Sequence, residues 1–234
     1  MEQSGTSALL QGVVQDLASG VAAALRGGGP AAFPGGVPPE EPPDGILIAA
    51  VRVLGADLLL PHVLLHTPPA EREVTLLRRA VDAFPPAADA APTVRWSHWG
   101  MSRGLHTVAA RYGPAGGGPG AEPDAGWLDE TSWQALTHRL AVLAALAVPG
   151  EDCALARVAQ RRVVDVSRGF VRAVRRRDWR QAAGAGRWLA VLDGVPETLG
   201  LDAGLDFVEL MGGTDPVVDL QVRAARLIRA GVPV

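Results

Sequence analysis

TVRWSHWGMSRGLHTVAARYG, residues 93–113, holds two of the six tryptophans and two of the five histidines, and its glycines at 100 and 104 decide which fold the chain adopts. Inside one continuous helix each glycine costs about 1 kcal/mol relative to alanine, which argues for a break. Trp96 and His98, then His106 and Val108, alternate as two strands would, with Gly100–Gly104 as the joining loop. Pairing symmetric about Ser102 sets His98 opposite His106 and Trp96 opposite Val108. The five letters GMSRG also match G-x-S-x-G, where small flanking residues let a strand turn sharply into a helix and lift a serine hydroxyl into a pocket.

Upstream, ILIAAVRVLGADLLLPHVLLH (46–66) is apolar on every face, which fits either a buried helix or two buried strands. Pro61 in its middle tips the reading toward two strands turning at Gly55-Ala56-Asp57. Leu10, Val13, Val14, Leu17, Val21 and Leu25 predict an amphipathic helix over 7–26. Val74, Leu77, Val81 and Phe84 predict another over 69–84, capped by Thr67 and opened by Pro68 and Pro69. Residues 27–43 are 11 Gly or Pro out of 17, and residues 113–126 are 9 out of 14, so both are read as linker or loop.

Beyond the second loop the spacing turns helical. Thr131 and Gln134 have capping-box spacing ahead of Trp133, Leu136, Leu140 and Leu143. Residues 154–177 read as one long helix with Val163, Val166, Phe170 and Ala173 as its apolar stripe, and helices over 180–193 and 215–230 follow. Trp127, Trp133, Trp179 and Trp188 are read as core anchors of this half. The resulting expectation is an α+β protein. Residues 1–26 form an N-terminal helix, 27–43 a linker, and 44–112 a small antiparallel sheet with one packed helix. Residues 113–129 form a loop and 130–234 a helical region, with an all-α fold as the alternative.

Composition excludes more than it assigns. All 22 basic residues are arginine, which removes Schiff-base chemistry, pyridoxal phosphate anchoring and the phosphate-loop lysine. A lysine-free, alanine- and glycine-rich chain is what a GC-rich genome produces. The single cysteine, Cys153, forbids an internal disulfide and any multi-cysteine zinc site, and it is read as a buried structural thiol. A net charge of -3 points to neither nucleic acid nor an anionic membrane as partner. Arg52 and Asp57 interrupt the longest apolar run, and the start MEQSGTS lacks the basic region of a secretion signal, so a soluble, cytoplasmic protein is expected. No cofactor is called for.

Four sets of residues carry the candidate chemistry. WGMSRGLHTVAARYG (99–113) resembles the nucleophile elbow and following helix of α/β-hydrolases, a resemblance that implies Ser102 as nucleophile flanked by Met101 and Arg103. That family runs serine, acid, histidine along the chain. Here the last histidine is His138, and its nearest acid, Asp152, follows it. His98 and His106 are the other histidines near Ser102. Residues 56–112, read as ADLLLPHVLLHTP, a helix and two strands, are similar to the C-terminal elimination domain of lanthipeptide dehydratases and its thiopeptide-cyclase relatives. That resemblance implies a peptide-modifying lyase or cyclase, although the arginine-flanked histidine strand appears only as LHTVAAR. His62 and His66, four apart, share a face in a helix or a strand and are candidate ligands for zinc, iron or haem iron.

Arg157, Arg161, Arg168, Arg172 and Arg175 recur at steps of 4, 7, 4 and 3 along one helix face, while residues 193–219 hold seven acids and no arginine as an internal counter-surface. GFVRAVRRRDWRQAAGAGRWLAVLDGVP (169–196) resembles one tetratricopeptide-type hairpin, short of the roughly three units a repeat core needs. Every catalytic pattern lacks a companion it requires. The leading functional expectation is therefore a binding or accessory protein with a protein or small-molecule partner, ahead of a Ser102 hydrolase or acyl-transfer enzyme, a lyase or cyclase, or a histidine metalloprotein.

Overall fold

A computed structural model of the protein describes residues 2–27, 44–113, 118 and 120–231; nearly all of the first linker, much of the second loop and the last three residues lie outside these. The described residues form eleven α-helices and short 3-10 turns, with no strand. The helices are α1 (Glu2–Gly27), α2 (Asp44–Leu54), α3 (Leu60–Leu64), α4 (Glu71–Ala83), α5 (Pro92–Tyr112), α6 (Trp133–Val142), α7 (Ala154–Arg161), α8 (Val163–Arg175), α9 (Trp179–Val191), α10 (Leu201–Gly212) and α11 (Pro216–Arg229). The chain divides into two compact units, Met1–Ala90 with Ser97–Gly120, and Ala91–Trp96 with Ala121–Val234.

The all-α alternative is what the structure shows, and the α+β expectation is overturned at two places. Residues 46–66 do break where Gly55 and Pro61 signal it, but into helices rather than strands. α2 ends at a 3-10 turn over Gly55–Leu59, Gly55 takes φ +68°, and Pro61 sits in the first turn of α3, where its missing N–H costs nothing. The run is apolar on every face because these helices are buried, with Leu47, Ile48, Val51, Leu58, Leu59 and Leu60 all in the core.

The second correction is α5. Residues 92–112 are one helix through both glycines, so no hairpin sets His98 against His106 and no strand enters the GMSRG turn. Burial outweighs the glycine cost: Trp96, Trp99 and Met101 are all in the core, and the tryptophan indoles donate to the Asp124 and Gly120 carbonyls at 3.0 Å. A tryptophan burying roughly 150–250 Å² gains about 4–6 kcal/mol, against about 2 kcal/mol for the two glycines together. Without strands, the likeness to hydrolase elbows and to the elimination domain loses the element order that carried it.

In the first unit α1 packs on α2 and α2 on α4, and α5 meets the 3-10 turn through Ser97 and Gly104. Gly5–Gly27 and Asp44–Leu64 are long and apolar enough to cross a membrane by length and composition alone, a test that core helices and signal sequences also pass. Of the second stretch, 67% is buried inside the protein. Thr67 does not cap α4. Ala70 holds the N-cap position, its N–H bonded by the Glu73 carboxylate at 2.8 Å, while Thr67 is engaged by His62.

In the second unit α9 is the central helix, packed against α6, α8, α10 and α11. Its run Ala182–Leu189 is buried throughout, which small side chains permit. The cap of α6 is Ser132 rather than Thr131, whose hydroxyl instead donates to the Trp127 carbonyl. The expected long helix over 154–177 is broken at Arg162 into α7 and α8. Its guanidinium holds Asp165 at 2.6 Å and donates to the Leu128 and Thr131 carbonyls, anchoring the break. α10 was not legible as a separate helix. Of the four expected anchors only Trp188 is fully buried.

Two glycine substitutions test this packing in opposite directions. A Cβ at Gly104 meets only Ala56 Cβ at 3.8 Å, so Gly104→Ala in a helix raises the unfolding free energy by about 1 kcal/mol. A Cβ at Gly169 overlaps the Thr137 side chain, so Gly169→Ala lowers it by about 2–3 kcal/mol. Urea midpoints read both, and destabilisation by Gly104→Ala would speak for a non-helical segment there.

Candidate functional site

The candidate catalytic residues are built into the fold as structural groups. Ser102 lies mid-α5 and its hydroxyl donates to the His98 carbonyl one turn back at 3.3 Å, a common resting place for a helical serine. The His98 ring donates from Nε2 to the Val81 carbonyl at 3.1 Å, satisfying one of the free carbonyls at the C-terminal end of α4. His106 has a buried Nδ1 with no hydrogen-bond partner among the described residues, so nothing joins it to Ser102. His138 and Asp152 belong to the other unit, where His138 bonds Gln181 Oε1 at 3.2 Å and Asp152 bonds Arg157 at 2.7 Å.

The histidine pair His62 and His66 is likewise separated. His62 is buried in α3, its Nδ1 donating to the Thr67 carbonyl at 3.1 Å and its Nε2 lying 3.0 Å from Glu73 Oε2. That second approach is close, but Nε2 makes no hydrogen bond there. His66 follows the end of α3 at φ +54° and is exposed. Among the described residues no three His, Cys, Asp or Glu gather as a metal site.

The arginine row resolves into two groups because of the break at Arg162. On α7, Arg157 is taken by Asp152 and Glu122, and Arg161 by Asp129 at 2.9 Å. On α8, Arg168, Arg172 and Arg175 fall at i, i+4 and i+7 and line a groove of about 720 Å³. Arg172 lies over the Trp133 ring, 5.6 Å from its centroid, a contact that orders the guanidinium and leaves its edge free. Arg168 has a loose contact of 3.7 Å to Asp165, which Arg162 already holds. The described residues show no acid on Arg172 or Arg175.

The acids expected to neutralise this row are engaged elsewhere. Asp202, Asp206, Glu209 and Asp219 pair with Arg223, Arg226 and Arg229 of α11, and Asp215 pairs with Arg180. The Arg229 guanidinium beside Asp202 holds that carboxyl below its ordinary value. Two acids adjoin lining residues in sequence without lining the groove themselves: Asp165, beside Val164 and held by Arg162, and Glu197, exposed between Pro196 and Thr198. The rest of the lining is mostly apolar: Val164, Val171, Pro196 and Leu199, with the hydroxyl-bearing Ser167 and Thr198. Two valines outside the core stripe of α8, four and three residues from Arg168, were the sequence signal for this groove; residues 196–199 carried none.

These features define a class: an all-α protein with an arginine-walled, apolar-floored groove on its second unit. Compared with known proteins, the chain matches no family model, no curated protein and no solved structure.

Cys153, fully buried before α7, is not part of this groove. Burial pushes its thiol from 9.0 up to about 11, with the Glu151 and Glu122 charges adding and the Ala156 N–H opposing. Because the folded value is the higher one, its contribution to stability is intact below about pH 9 and is lost as pH rises from there through about pH 11. A thiol-specific disulfide reagent at about pH 8 leaves the native protein unmodified and labels it in urea. Cys153→Ala flattens the alkaline fall in stability.

Proposed function

We propose that the protein is a non-catalytic binding or accessory module whose second unit receives an anionic partner in the groove of Arg168, Arg172 and Arg175. One observation carries the reading: these guanidiniums face the groove while the acidic segment 193–219 spends five of its acids on α11 and Arg180. Arginine forks bind carboxylate or phosphate in pairs of parallel hydrogen bonds, and the stacked Arg172 loses little freedom in doing so. The apolar floor adds affinity for a partner with a greasy side as well as charge.

A soluble setting goes with this reading, supported by the use of Asp44–Leu64 as core; the cytoplasmic setting rests on the sequence expectation alone. No observation favours hydrolase, lyase or metal chemistry, since Ser102, His98 and His62 each have a structural engagement.

Polyglutamate serves as a partner-independent probe. The full chain binds it, and the double variant Arg168→Glu, Arg172→Glu weakens binding at least about tenfold with an unchanged circular dichroism spectrum. Equal binding by the variant sinks the proposal.

A further inference from the structure

We infer that the occupant of this groove is an acidic amphipathic helix of a protein partner, laid along α8; the inference rests on the groove being the binding site. In a helix rising about 1.5 Å per residue, Arg168, Arg172 and Arg175 stand at intervals of about 6 and 4.5 Å along the axis. A partner helix with acids at i, i+4 and i+7 repeats those intervals, so each carboxylate meets one guanidinium without either helix bending. Its apolar residues, one position aside, fall on Val164, Val171 and Leu199.

The arrangement is unsuited to the other common anions. A single phosphate is met by two forks at one point, whereas these three are spread along two turns of helix with apolar surface beside them. Single-stranded nucleic acid needs aromatic faces for its bases, and the one aromatic ring in the groove, Trp133, lies under Arg172.

Fluorescence anisotropy with the full chain tests this. Three labelled probes are used: a helical peptide with Glu at i, i+4 and i+7 and Leu on the adjoining stripe, a scrambled peptide of identical composition, and an oligothymidylate. The in-register peptide binds at least about tenfold more tightly than the scramble, and Leu199→Ala weakens it severalfold. A peptide carrying Arg in place of Glu binds the Arg168→Glu, Arg172→Glu variant better than the unaltered protein.

Equal binding of scramble and in-register peptide, both lost in that double variant, overturns the helical partner while leaving an anion-binding groove. Tighter binding of the oligothymidylate than of either peptide overturns it in favour of nucleic acid. Binding of none of the three overturns the helix and the groove together.

Discussion

A methyl group at Gly184 of α9 would come within 2.7 Å of the Ala141 carbonyl of α6, so α9 lies nearly backbone to backbone with α6, and one at Gly186 would come within 2.7 Å of the Leu205 side chain of α10. That closeness lets side chains of α9 finish the hydrogen bonding of the α6 end. The Trp188 indole donates to the Leu140 carbonyl at 2.7 Å, and the buried Arg187 guanidinium donates to the Ala147 carbonyl at 3.1 Å. The Leu140 carbonyl also accepts from the Leu143 N–H at 3.0 Å, so the indole adds a second bond there; a buried carbonyl such as that of Ala147 left unbonded would cost about 1–3 kcal/mol. Arg187 also reaches Gln221 at 2.8 Å, so one side chain ties α9 to both α11 and the segment after α6.

The consequence passes outward to the candidate site. With Val166, Gly169, Phe170 and Ala173 turned inward, the opposite side of α8 presents Arg168, Arg172 and Arg175 in a fixed row. The exposed pairs between α10 and α11 contribute little stability each, on the order of 0–1 kcal/mol. Their electrostatic effect is larger in kind: they consume the acids that would cancel the field of α8. A chain of net charge -3 thereby keeps a locally positive groove.

Legibility in the sequence followed the range of the interaction. α1 and α4 were readable as helices because their apolar spacing is local, although the buried face of α4 is Glu73, Leu76, Leu77 and Ala80, with Phe84 exposed, rather than the expected Val74, Leu77, Val81 and Phe84; the break near Gly55 and Pro61 was readable because those residues constrain their own backbone. α2 was not, since a helix buried on every face has no period to distinguish it from strand. α5 ran against local propensity: its glycines argued for a turn, and the decisive burial of Trp96 and Trp99 involves carbonyls more than twenty residues away. Arg168, Arg172 and Arg175 were legible as a row, but their freedom from acids 193–219 depends on ion pairs most of which span 14 to 35 residues. The split of Arg157 and Arg161 from that row turns on Arg162 finding the carbonyls of Leu128 and Thr131, which no spacing rule encodes.

Hydrogen–deuterium exchange of the full chain, with and without an in-register acidic peptide, addresses the groove most directly. Slowed exchange confined to α8 and residues 196–199 is the expected result, with α9 already protected in both states by its burial. Unchanged exchange in α8 at saturating peptide, or protection appearing in the first unit instead, would contradict a preformed arginine groove as the working surface of this protein.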